Sequence, residues 1–358
     1  MQTVNAVLLG LDNPHSIAHL RTLDQLPEVD RVQVWAEDEK FIPDVEEAGS
    51  PKVDRVSTDL ASILAGGAHL AVASPRTDRS PGICIQALEA GHHVVAEKPI
   101  GATVEEIGRV VQSARDHGRK LGVFYGRRYN PLVRQVRDII SQGLLGTLMS
   151  VELRMLTTQV RFRDPGYWLF KKRISGGGML SWLGCHYVDK IRFITGEEIV
   201  SVSAEVATRS GEDIDVEDVA VLSFRLASGT VGTLHVGFVM ALSGGGYHNV
   251  GGYDTYVGVN GRRGRLYFSS AGSPERLKVE TDHPDWSDAP WREFEYTLAS
   301  SPAYGGVPGE RFVRDFLKAT WGEGTVPASG EDALQVARIV EAAYESSETG
   351  RRIQVAPD

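Results

Sequence analysis

The first 120 or so residues alternate short apolar runs with helical patterns, and this alternation constrains the fold more than any other feature of the chain. Strands that alternate with helices are the signature of βαβ units. Because such connections are almost always right-handed, they close into a doubly wound parallel sheet. The predicted strands are Val4–Leu9, Val32–Ala36, Leu70–Ala73, His93–Ala96 and Leu121–Phe124, and the predicted helices include Pro81–Ala90 and Val104–His117.

The pattern changes from about residue 148, where apolar runs recur with turn residues between them. Ala227–Thr230 and Asn260–Gly264 resemble hairpin turns, which favours a mostly antiparallel sheet. Two late helices, Pro308–Thr320 and Gly330–Ser347, have apolar stripes that are most simply core. The predicted strands here are Leu148–Leu156, Ile199–Ala207, Val219–Leu226, Val231–Val239, Thr255–Val259 and Leu266–Ser269.

A length of 358 residues fits two domains, each large enough for its own core. We place the parallel-sheet α/β domain at residues 1–125. An α+β domain with a large open, mostly antiparallel sheet follows at 126–358, and its last helix could pack back on the first domain.

The charge balance limits the class of partner. A net charge of −9 argues against nucleic acid or an anionic membrane. Cys84 and Cys185 fall in separate predicted domains, so we expect no disulfide framework and a reducing compartment. No basic leader or apolar stretch of transmembrane length is apparent, and we therefore expect a cytoplasmic protein.

The stretch Val94–Gly101 ends an apolar run in Glu97-Lys98-Pro99. This places an ammonium at the carboxyl end of a parallel strand, where open α/β sheets bind ligands. A lysine there can donate a hydrogen bond to a substrate hydroxyl and, if desolvated, can lose its proton near neutral pH. The alternative is a solvated lysine at a strand end.

The first strand ends in Gly10-Leu-Asp-Asn-Pro-His-Ser16, which departs from the dinucleotide-binding pattern Gly-x-Gly-x-x-Gly. Only Gly10 is in place. Asp12 stands where the second glycine belongs, and an aspartate beside a pyrophosphate is unfavourable unless its side chain turns away. Asn13 fits the N-cap of the next helix, and His15 could donate a hydrogen bond that the glycines no longer offer. The sequence favours retention of the cofactor, and the alternative is a loop that has lost it.

Glu37 ends the second predicted strand, about 27 residues after Gly10. An acidic group at this place would accept from a ribose 2′-OH and repel a 2′-phosphate. No arginine follows, since the next residue is Asp38, and NAD is therefore favoured over NADP. A solvated acidic strand end is the alternative.

Five motifs span nearly the whole chain in a fixed order, and together they resemble the Gfo/Idh/MocA family of nicotinamide-dependent oxidoreductases. The resemblance implies a Rossmann domain, a second domain whose open sheet makes oligomer contacts, and hydride transfer to or from a sugar, cyclitol or sugar derivative. We expect a homo-oligomer, either a dimer or a tetramer. The motifs are Ala68-His-Leu-Ala-Val-Ala-Ser-Pro75, Ala87-Leu-Glu-Ala-Gly-His-His-Val-Val-Ala-Glu-Lys-Pro99, Tyr125-Gly-Arg-Arg-Tyr-Asn-Pro131, Gly176-Gly-Gly-Met-Leu-Ser-Trp-Leu-Gly-Cys-His-Tyr-Val-Asp189 and Ala328-Ser-Gly-Glu-Asp-Ala-Leu334.

The resemblance also implies the catalytic residues. His186 falls where the family places its catalytic histidine, and Lys98 would orient the substrate and serve as a proton relay. The family usually carries an aspartate four residues before this histidine, and Trp182 stands there instead. Its indole could stack on a sugar ring, or it could fill the core and leave the catalytic pair lost.

Further site residues follow from the same motifs. Arg128 could contact substrate hydroxyls or tie the domains together by an ion pair. Arg163 and Trp168 belong to an aromatic and basic segment that we expect to contact substrate, although a solvated loop explains its lysines equally well. Ser243–Gly252 is a glycine-rich loop that could close over substrate or lie at a subunit contact, and no metal site is expected because the histidines lack ligand spacing. The expected cofactor-binding residues are Gly10, Asp12, Asn13, His15, Ser16, Glu37, Ser74, Pro75, Glu97 and Lys98.

Two other functions remain open at this point. An enzyme of this fold can oxidise a sugar transiently so that a glycosidic bond is cleaved, and then return the hydride. A non-catalytic ligand-binding member of the fold would have lost both the glycine loop and the aspartate.

Overall fold

The computed structural model describes residues 2–242, 252–270 and 275–356. The chain forms two compact units, one built from Met1–Tyr129 with Leu298–Leu334 and the other from Asn130–Thr297 with Gln335–Asp358. This division differs from the predicted boundary, which assigned everything after residue 125 to the second domain. The difference arises because residues 298–334 return to the first unit, where Phe312 packs against Phe124 at 5.0 Å between ring centroids.

The strands are numbered in chain order. They are β1 Val4–Leu9, β2 Val29–Trp35, β3 Val53–Ser57, β4 Leu70–Ala73, β5 His93–Ala96, β6 Leu121–Val123, β7 Leu148–Thr158, β8 Ile199–Ala207, β9 Val219–Leu226, β10 Val231–Met240, β11 Tyr253–Gly261, β12 Gly264–Ser269, β13 Arg276–Thr281, β14 Trp291–Glu295 and β15 Ile353–Gln354.

The helices are α1 Ser16–Gln25, α2 Ile42–Ala48, α3 Leu60–Leu64, α4 Ser80–Glu89, α5 Val104–Asp116, α6 Pro131–Ser141, α7 Lys172–Ser175, α8 Cys185–Thr195, α9 Val307–Thr320 and α10 Gly330–Thr349. Within the described ranges, every helix is too short or too polar to cross a lipid bilayer.

The first unit contains a six-stranded sheet of order β3-β2-β1-β4-β5-β6, in which all pairs are parallel. The predicted doubly wound parallel sheet is therefore confirmed. The order reverses between β1 and β4, which is the point where sheets of this type bind ligands. β3 was not predicted because this edge strand is half exposed and carries few apolar residues.

The second unit contains a nine-stranded sheet of order β14-β13-β12-β11-β7-β10-β9-β8-β15. Its pairs are antiparallel except for β10 with β7, so the predicted mostly antiparallel sheet is confirmed. The two predicted hairpin turns join β9 to β10 and β11 to β12. The predictions missed β13 and β14, since their alternating charged residues give little apolar signal.

Buried histidine makes the stability of the first unit depend on pH. His93 begins β5, and its Nδ1 accepts a hydrogen bond from the backbone N–H of Lys120 at 2.9 Å. Burial, assisted by the neighbouring His69, lowers the pKa of His93 from 6.5 to about 4. Between these two pH values the folded chain binds fewer protons at His93 than the unfolded chain, so the free energy of unfolding falls as the pH is lowered through this window.

We predict that His93→Asn reduces this pH dependence. Asparagine keeps an acceptor near the position of Nδ1 but does not titrate. Urea unfolding followed by circular dichroism, at several pH values between about 7 and 4, measures the effect. An equal slope of unfolding free energy against pH in variant and wild type would contradict the assignment.

Candidate active site

The carboxyl edge of the parallel sheet collects the predicted cofactor residues. Gly10 follows β1, Ser74 and Pro75 follow β4, and Glu97 and Lys98 follow β5. Because β1 pairs with β4 and β4 pairs with β5, these residues lie on three neighbouring strand ends. The sheet therefore brings together residues that are up to 88 positions apart in the chain.

Gly10 has a backbone conformation and an environment that only glycine fits. Its φ is +102°, and an added Cβ would lie 2.6 Å from Glu37 Oε1 and 2.7 Å from Pro75 Cα. The first glycine of the altered fingerprint thus allows the loop to approach the ends of β2 and β4 closely.

Glu37 is partly buried, and its two carboxylate oxygens differ. Oε2 accepts a hydrogen bond from the backbone N–H of Leu11 at 2.7 Å. Oε1 is buried and has no hydrogen-bond partner among the described residues. Burial, followed by the nearby charge of Asp12, raises the pKa of Glu37 to about 7. The carboxylate is therefore not a solvated strand end, and one of its oxygens can still accept a hydrogen bond.

The Asp12 carboxylate contacts Arg76 and Arg79. Its Oδ1 accepts from the backbone N–H of Arg76 at 2.8 Å, and its Oδ2 lies 3.6 Å from Arg76 Nε and 3.8 Å from Arg79 Nη1. The two arginines offset the negative charge of the aspartate that stands at the position of the second glycine.

Asn13 and Ser16 fix the turn between β1 and α1. Asn13 Oδ1 accepts from the backbone N–H of His15 at 3.0 Å, and Ser16 Oγ donates to the carbonyl of Ser74 at 3.0 Å. The helix begins at Ser16, with His15 at the N-cap position. The prediction that Asn13 is the N-cap was wrong by two residues, because the asparagine closes a turn before the helix starts.

His15 and His19 both contact Glu97, which is buried at 2% exposure. His15 Nδ1 lies 3.2 Å from Oε1, and His19 Nε2 lies 2.7 Å from Oε2. Tyr304, from the segment before α9, stacks on His15 at 4.4 Å and 25°. His15 and Glu97 were predicted as site residues, whereas His19 and Tyr304 were not. The spacing of four from His15 to His19 was a usable signal, whereas nothing in the sequence placed Tyr304 here.

Lys98 is buried at 1% exposure, and its Nζ lies 3.7 Å from Glu97 Oε1. The Lys98–Pro99 peptide bond is cis. This burial contradicts the alternative of a solvated lysine at a strand end. Lys98 is thus buried beside a carboxylate.

His186 lies in the second unit on α8 and is 6% exposed. One π-helical turn, Leu180–Gly184, leads into this helix. Turns of this kind are frequent at functional sites. They also break the α-helical register, so the spacing of four from Trp182 to His186 does not imply that the two side chains stack.

Two of the three glycines in Gly176–Gly178 have a packing reason. A Cβ on Gly178 would overlap the carbonyl oxygen of Glu217, and one on Gly177 would overlap the Tyr344 hydroxyl. Glu217 in turn accepts from the backbone N–H groups of Gly178 at 2.7 Å and Leu180 at 2.8 Å, and from Tyr344 Oη at 2.8 Å. Burial raises the pKa of Glu217. This carboxylate, which was not predicted from the sequence, fixes the turn that leads to His186.

Three of the predicted substrate residues belong to the second unit. Trp168 and Trp182 are 8% and 3% exposed and meet edge to face at 5.7 Å and 90°. Arg163 Nη2 donates to Thr157 Oγ1 at 3.2 Å, and its guanidinium lies 5.1 Å from the centre of the Phe238 ring. The structure brings the two tryptophans together as a buried pair and holds Arg163 against β7 and β10.

Arg128 makes its described hydrogen bonds inside the first unit. Its Nη1 donates to the carbonyl of Pro327 at 2.9 Å and to Asp332 Oδ2 at 3.1 Å. The arginine is 8% exposed and ties the end of the first segment to the segment 298–334 of the same unit.

Two further predictions concern metal binding and the glycine-rich loop. Among the described residues there is no group of three or more His, Cys, Asp or Glu side chains that could hold a metal ion. Residues 243–251 of the predicted glycine-rich loop lie outside the described ranges.

We predict that Gly178→Ala destabilises the chain by about 1–3 kcal/mol, because the new methyl group meets a backbone carbonyl that cannot move aside. Gly82→Ala is the control: this glycine lies inside α4 with nothing within 4 Å of an added Cβ. We expect the control to be neutral or slightly stabilising. Urea unfolding of both variants tests this, and a Gly178→Ala protein as stable as wild type would show that the glycine is not required by packing.

Comparison with known proteins agrees with this architecture. Residues 4–125 match the family model for the oxidoreductase family with an NAD-binding Rossmann fold, and residues 133–267 match the model of the GFO/IDH/MocA C-terminal domain. The chain is 28% identical over 302 residues to levoglucosan dehydrogenase from Pseudarthrobacter phenanthrenivorans, which covers 74% of each chain. It is 26% identical to inositol 2-dehydrogenase from Rhizobium meliloti over 285 residues, or 78% of each chain.

A solved structure of levoglucosan dehydrogenase in complex with NADH and levoglucosan superposes with a TM-score of 0.86, at 24% identity over 100% of both chains. This likeness shows that the fold extends over the whole chain. Together with the two family models, it establishes that the chain belongs to the Gfo/Idh/MocA family of oxidoreductases and carries that family's NAD-binding Rossmann fold.

Proposed function

We propose that the protein is an NAD-dependent dehydrogenase that transfers a hydride between the cofactor and a hydroxyl or keto group of a sugar, a cyclitol or a related compound. The observation that carries this proposal is the buried Glu37 Oε1, which has no hydrogen-bond partner among the described residues. A buried acceptor without a donor is costly, and a ribose hydroxyl would supply the donor.

The same oxygen supports NAD over NADP. A 2′-phosphate in place of the hydroxyl would bring two negative charges to a carboxylate that is already partly buried beside Asp12. The loop Gly10–Ser16 fits a dinucleotide because Gly10 permits close approach, and because the charge of Asp12 is directed to Arg76 and Arg79. Asn13, His15 and Ser16 complete this cradle, together with Ser74, Pro75 and Glu97 from the neighbouring strand ends.

The chemistry needs a hydride acceptor, which the nicotinamide ring supplies when NAD is bound. The chain supplies the rest. Lys98 donates a hydrogen bond to the reacting oxygen and orients it, and His186 takes the hydroxyl proton as general base. An imidazole suits this role because its ordinary pKa lies near neutrality, so the proton transfer is reversible.

The substrate class follows from the second unit and the relatives. Trp182 replaces the family's aspartate and packs edge to face against Trp168, and Arg163 of the same unit carries donors for hydroxyl groups. The relatives named above act on levoglucosan and on inositol. A ring-shaped polyol is therefore the proposed substrate class, and a cytoplasmic homo-oligomer, dimer or tetramer, is the expected form.

We predict that Lys98→Met and His186→Asn each lower kcat/KM by about 100-fold or more, since each removes a group that acts on the reacting oxygen. The assay follows NADH formation at saturating NAD with levoglucosan, myo-inositol and methyl glucosides as candidate substrates. Lys120→Met and His117→Asn are matched controls, because both residues lie in the first unit away from the carboxyl edge of the sheet.

Unchanged turnover in both active-site variants would overturn the residue roles. Release of a reducing sugar from the glucosides without net NADH would instead indicate a glycoside-cleaving enzyme that oxidises its substrate transiently. Stable protein that binds no dinucleotide would indicate a non-catalytic binding role.

A further inference from the structure

We infer that His15 and His19 are positioning residues that hold Glu97 as an anion against Lys98, so that Lys98 remains an ammonium and serves as a hydrogen-bond donor instead of a base. This inference rests on the proposed function, because it assigns a charge state to Lys98 in that site. We refer to His15, His19, Glu97 and Tyr304 as the carboxylate clamp.

The geometry gives each oxygen of Glu97 its own imidazole. Oε1 lies 3.2 Å from His15 Nδ1, and Oε2 lies 2.7 Å from His19 Nε2. The Nζ of Lys98 lies 3.7 Å from the same Oε1. Three nitrogen-bearing side chains therefore converge on one carboxylate.

Because these side chains are buried, the contacts between them determine the charge on Glu97. His15, His19, Glu97 and Lys98 are 5%, 1%, 2% and 1% exposed. Phe124 meets His19 edge to face at 4.9 Å and stacks on Tyr304 at 5.0 Å, which closes the apolar side of the clamp. Water is therefore largely replaced by protein groups around Glu97, and the charge on this carboxylate depends on the groups that contact it.

The proton positions follow from the chemistry of the acceptor. An ionised carboxylate can only accept hydrogen bonds, so His15 presents Nδ1–H and His19 presents Nε2–H to it. The other nitrogen of His15, Nε2, is then an acceptor, and the Tyr304 hydroxyl lies 3.4 Å from it. The contacts of its two ring nitrogens thus determine which nitrogen of His15 carries the proton.

The charges within the clamp are consistent with this arrangement. Burial opposes ionisation of Glu97, but the interaction with His15, the hydrogen bond of His19 and the charge of Lys98 outweigh it and hold the Glu97 pKa well below its usual value. Burial lowers the pKa of His15 to about 4, so its ring is neutral near pH 7. The groups that face Glu97 are His15 and His19 from the start of α1, Lys98 from the end of β5 and, through His15, Tyr304 from the segment before α9.

This arrangement of charges determines which residue donates a hydrogen bond to the reacting oxygen and which residue takes its proton. A lysine buried among apolar groups alone would tend to lose its proton, and a glutamate buried alone would tend to gain one. The two imidazole N–H donors stabilise the glutamate as an anion, and the anion stabilises the ammonium. Lys98 then orients the reacting oxygen as a cation, which leaves proton abstraction to His186.

The clamp also explains the altered fingerprint. His15 occupies the region of the third glycine, where the family pattern calls for close packing of helix on strand. Here the imidazole reaches from that position to the end of β5 and contacts Glu97. The departure from the glycine pattern is thus part of the arrangement that sets the charge of Lys98.

The test is a direct titration of Lys98 in the full-length protein by NMR of lysine labelled with ¹³C at Cε. The chain has nine lysines, so the signal of Lys98 can be identified by its loss in Lys98→Met. We expect the wild-type ammonium to persist well above neutral pH. A wild-type titration midpoint near or below about pH 7 would overturn the inference without any variant.

Variants at Glu97 separate charge from shape. Glu97→Gln removes the anion and should move the Lys98 midpoint at least about one pH unit lower, whereas Glu97→Asp keeps the charge and should restore most of the shift. Glu28→Gln is the matched control, because Glu28 is a buried carboxylate of the same unit that pairs with Arg314 at 2.8 Å. An unchanged midpoint in Glu97→Gln, or an equal shift in Glu28→Gln, would contradict the inference.

Variants at His19 test the clamp itself. His19→Gln keeps an N–H donor and should leave the Lys98 midpoint near the wild-type value, whereas His19→Leu removes the donor and should lower it. Equal midpoints in the two variants would show that the imidazole donor has no part in setting the charge. These titrations need neither substrate nor NAD, so the inference can fail while the dehydrogenase assay succeeds, and the reverse.

Discussion

A carboxylate that is removed from water must be given N–H donors, and this requirement fixes the loops of both units. Asp12 accepts from the backbone of Arg76, Glu37 from the backbone of Leu11, and Glu217 from the turn before α8. Glu97 accepts from two imidazoles. Each of these bonds joins segments that are distant in sequence, so the buried acids determine where the loops lie as well as where the charge lies.

The parallel sheet sets the positions that these acids occupy. Its order places the ends of β1, β4 and β5 side by side, and the loops that follow carry the altered fingerprint, the Ser74-Pro75 turn and Lys98. Loss of two glycines from the fingerprint does not open the loop. The position of the second glycine is taken by an aspartate paired with Arg76, and that of the third by a histidine paired with Glu97.

The sequence predicted the regular elements well because apolar periodicity is a local property. β1, β4, β5, β8 and β9 have the predicted bounds, and the missed elements include edge strands with charged residues, such as β3 and β14. The return of residues 298–334 to the first unit could not be predicted in this way, because it depends on packing between segments that are far apart in the chain.

Only those site residues that lie at strand ends or in recognisable motifs could be predicted from the sequence. Lys98, His186 and Glu37 were named from strand ends and family motifs, whereas His19, Tyr304 and Glu217 were missed. His19 contacts a carboxylate 78 residues away, and no local pattern reports such a partner. Trp182 and Trp168 were named separately, but their mutual packing became evident only in the fold.

The central claim is that the altered loop and Glu37 still bind a dinucleotide and prefer NAD. Calorimetric titration of the freshly purified protein with NADH and NADPH, after removal of carried-over nucleotide, tests this claim most directly. The variant is Glu37→Gln, and its control is Asp38→Asn at the exposed neighbouring residue. The account predicts saturable binding that favours NADH, a preference that falls at least about tenfold in Glu37→Gln and stays near wild type in Asp38→Asn. Absence of binding by either nucleotide, or an unchanged preference in Glu37→Gln, would contradict it.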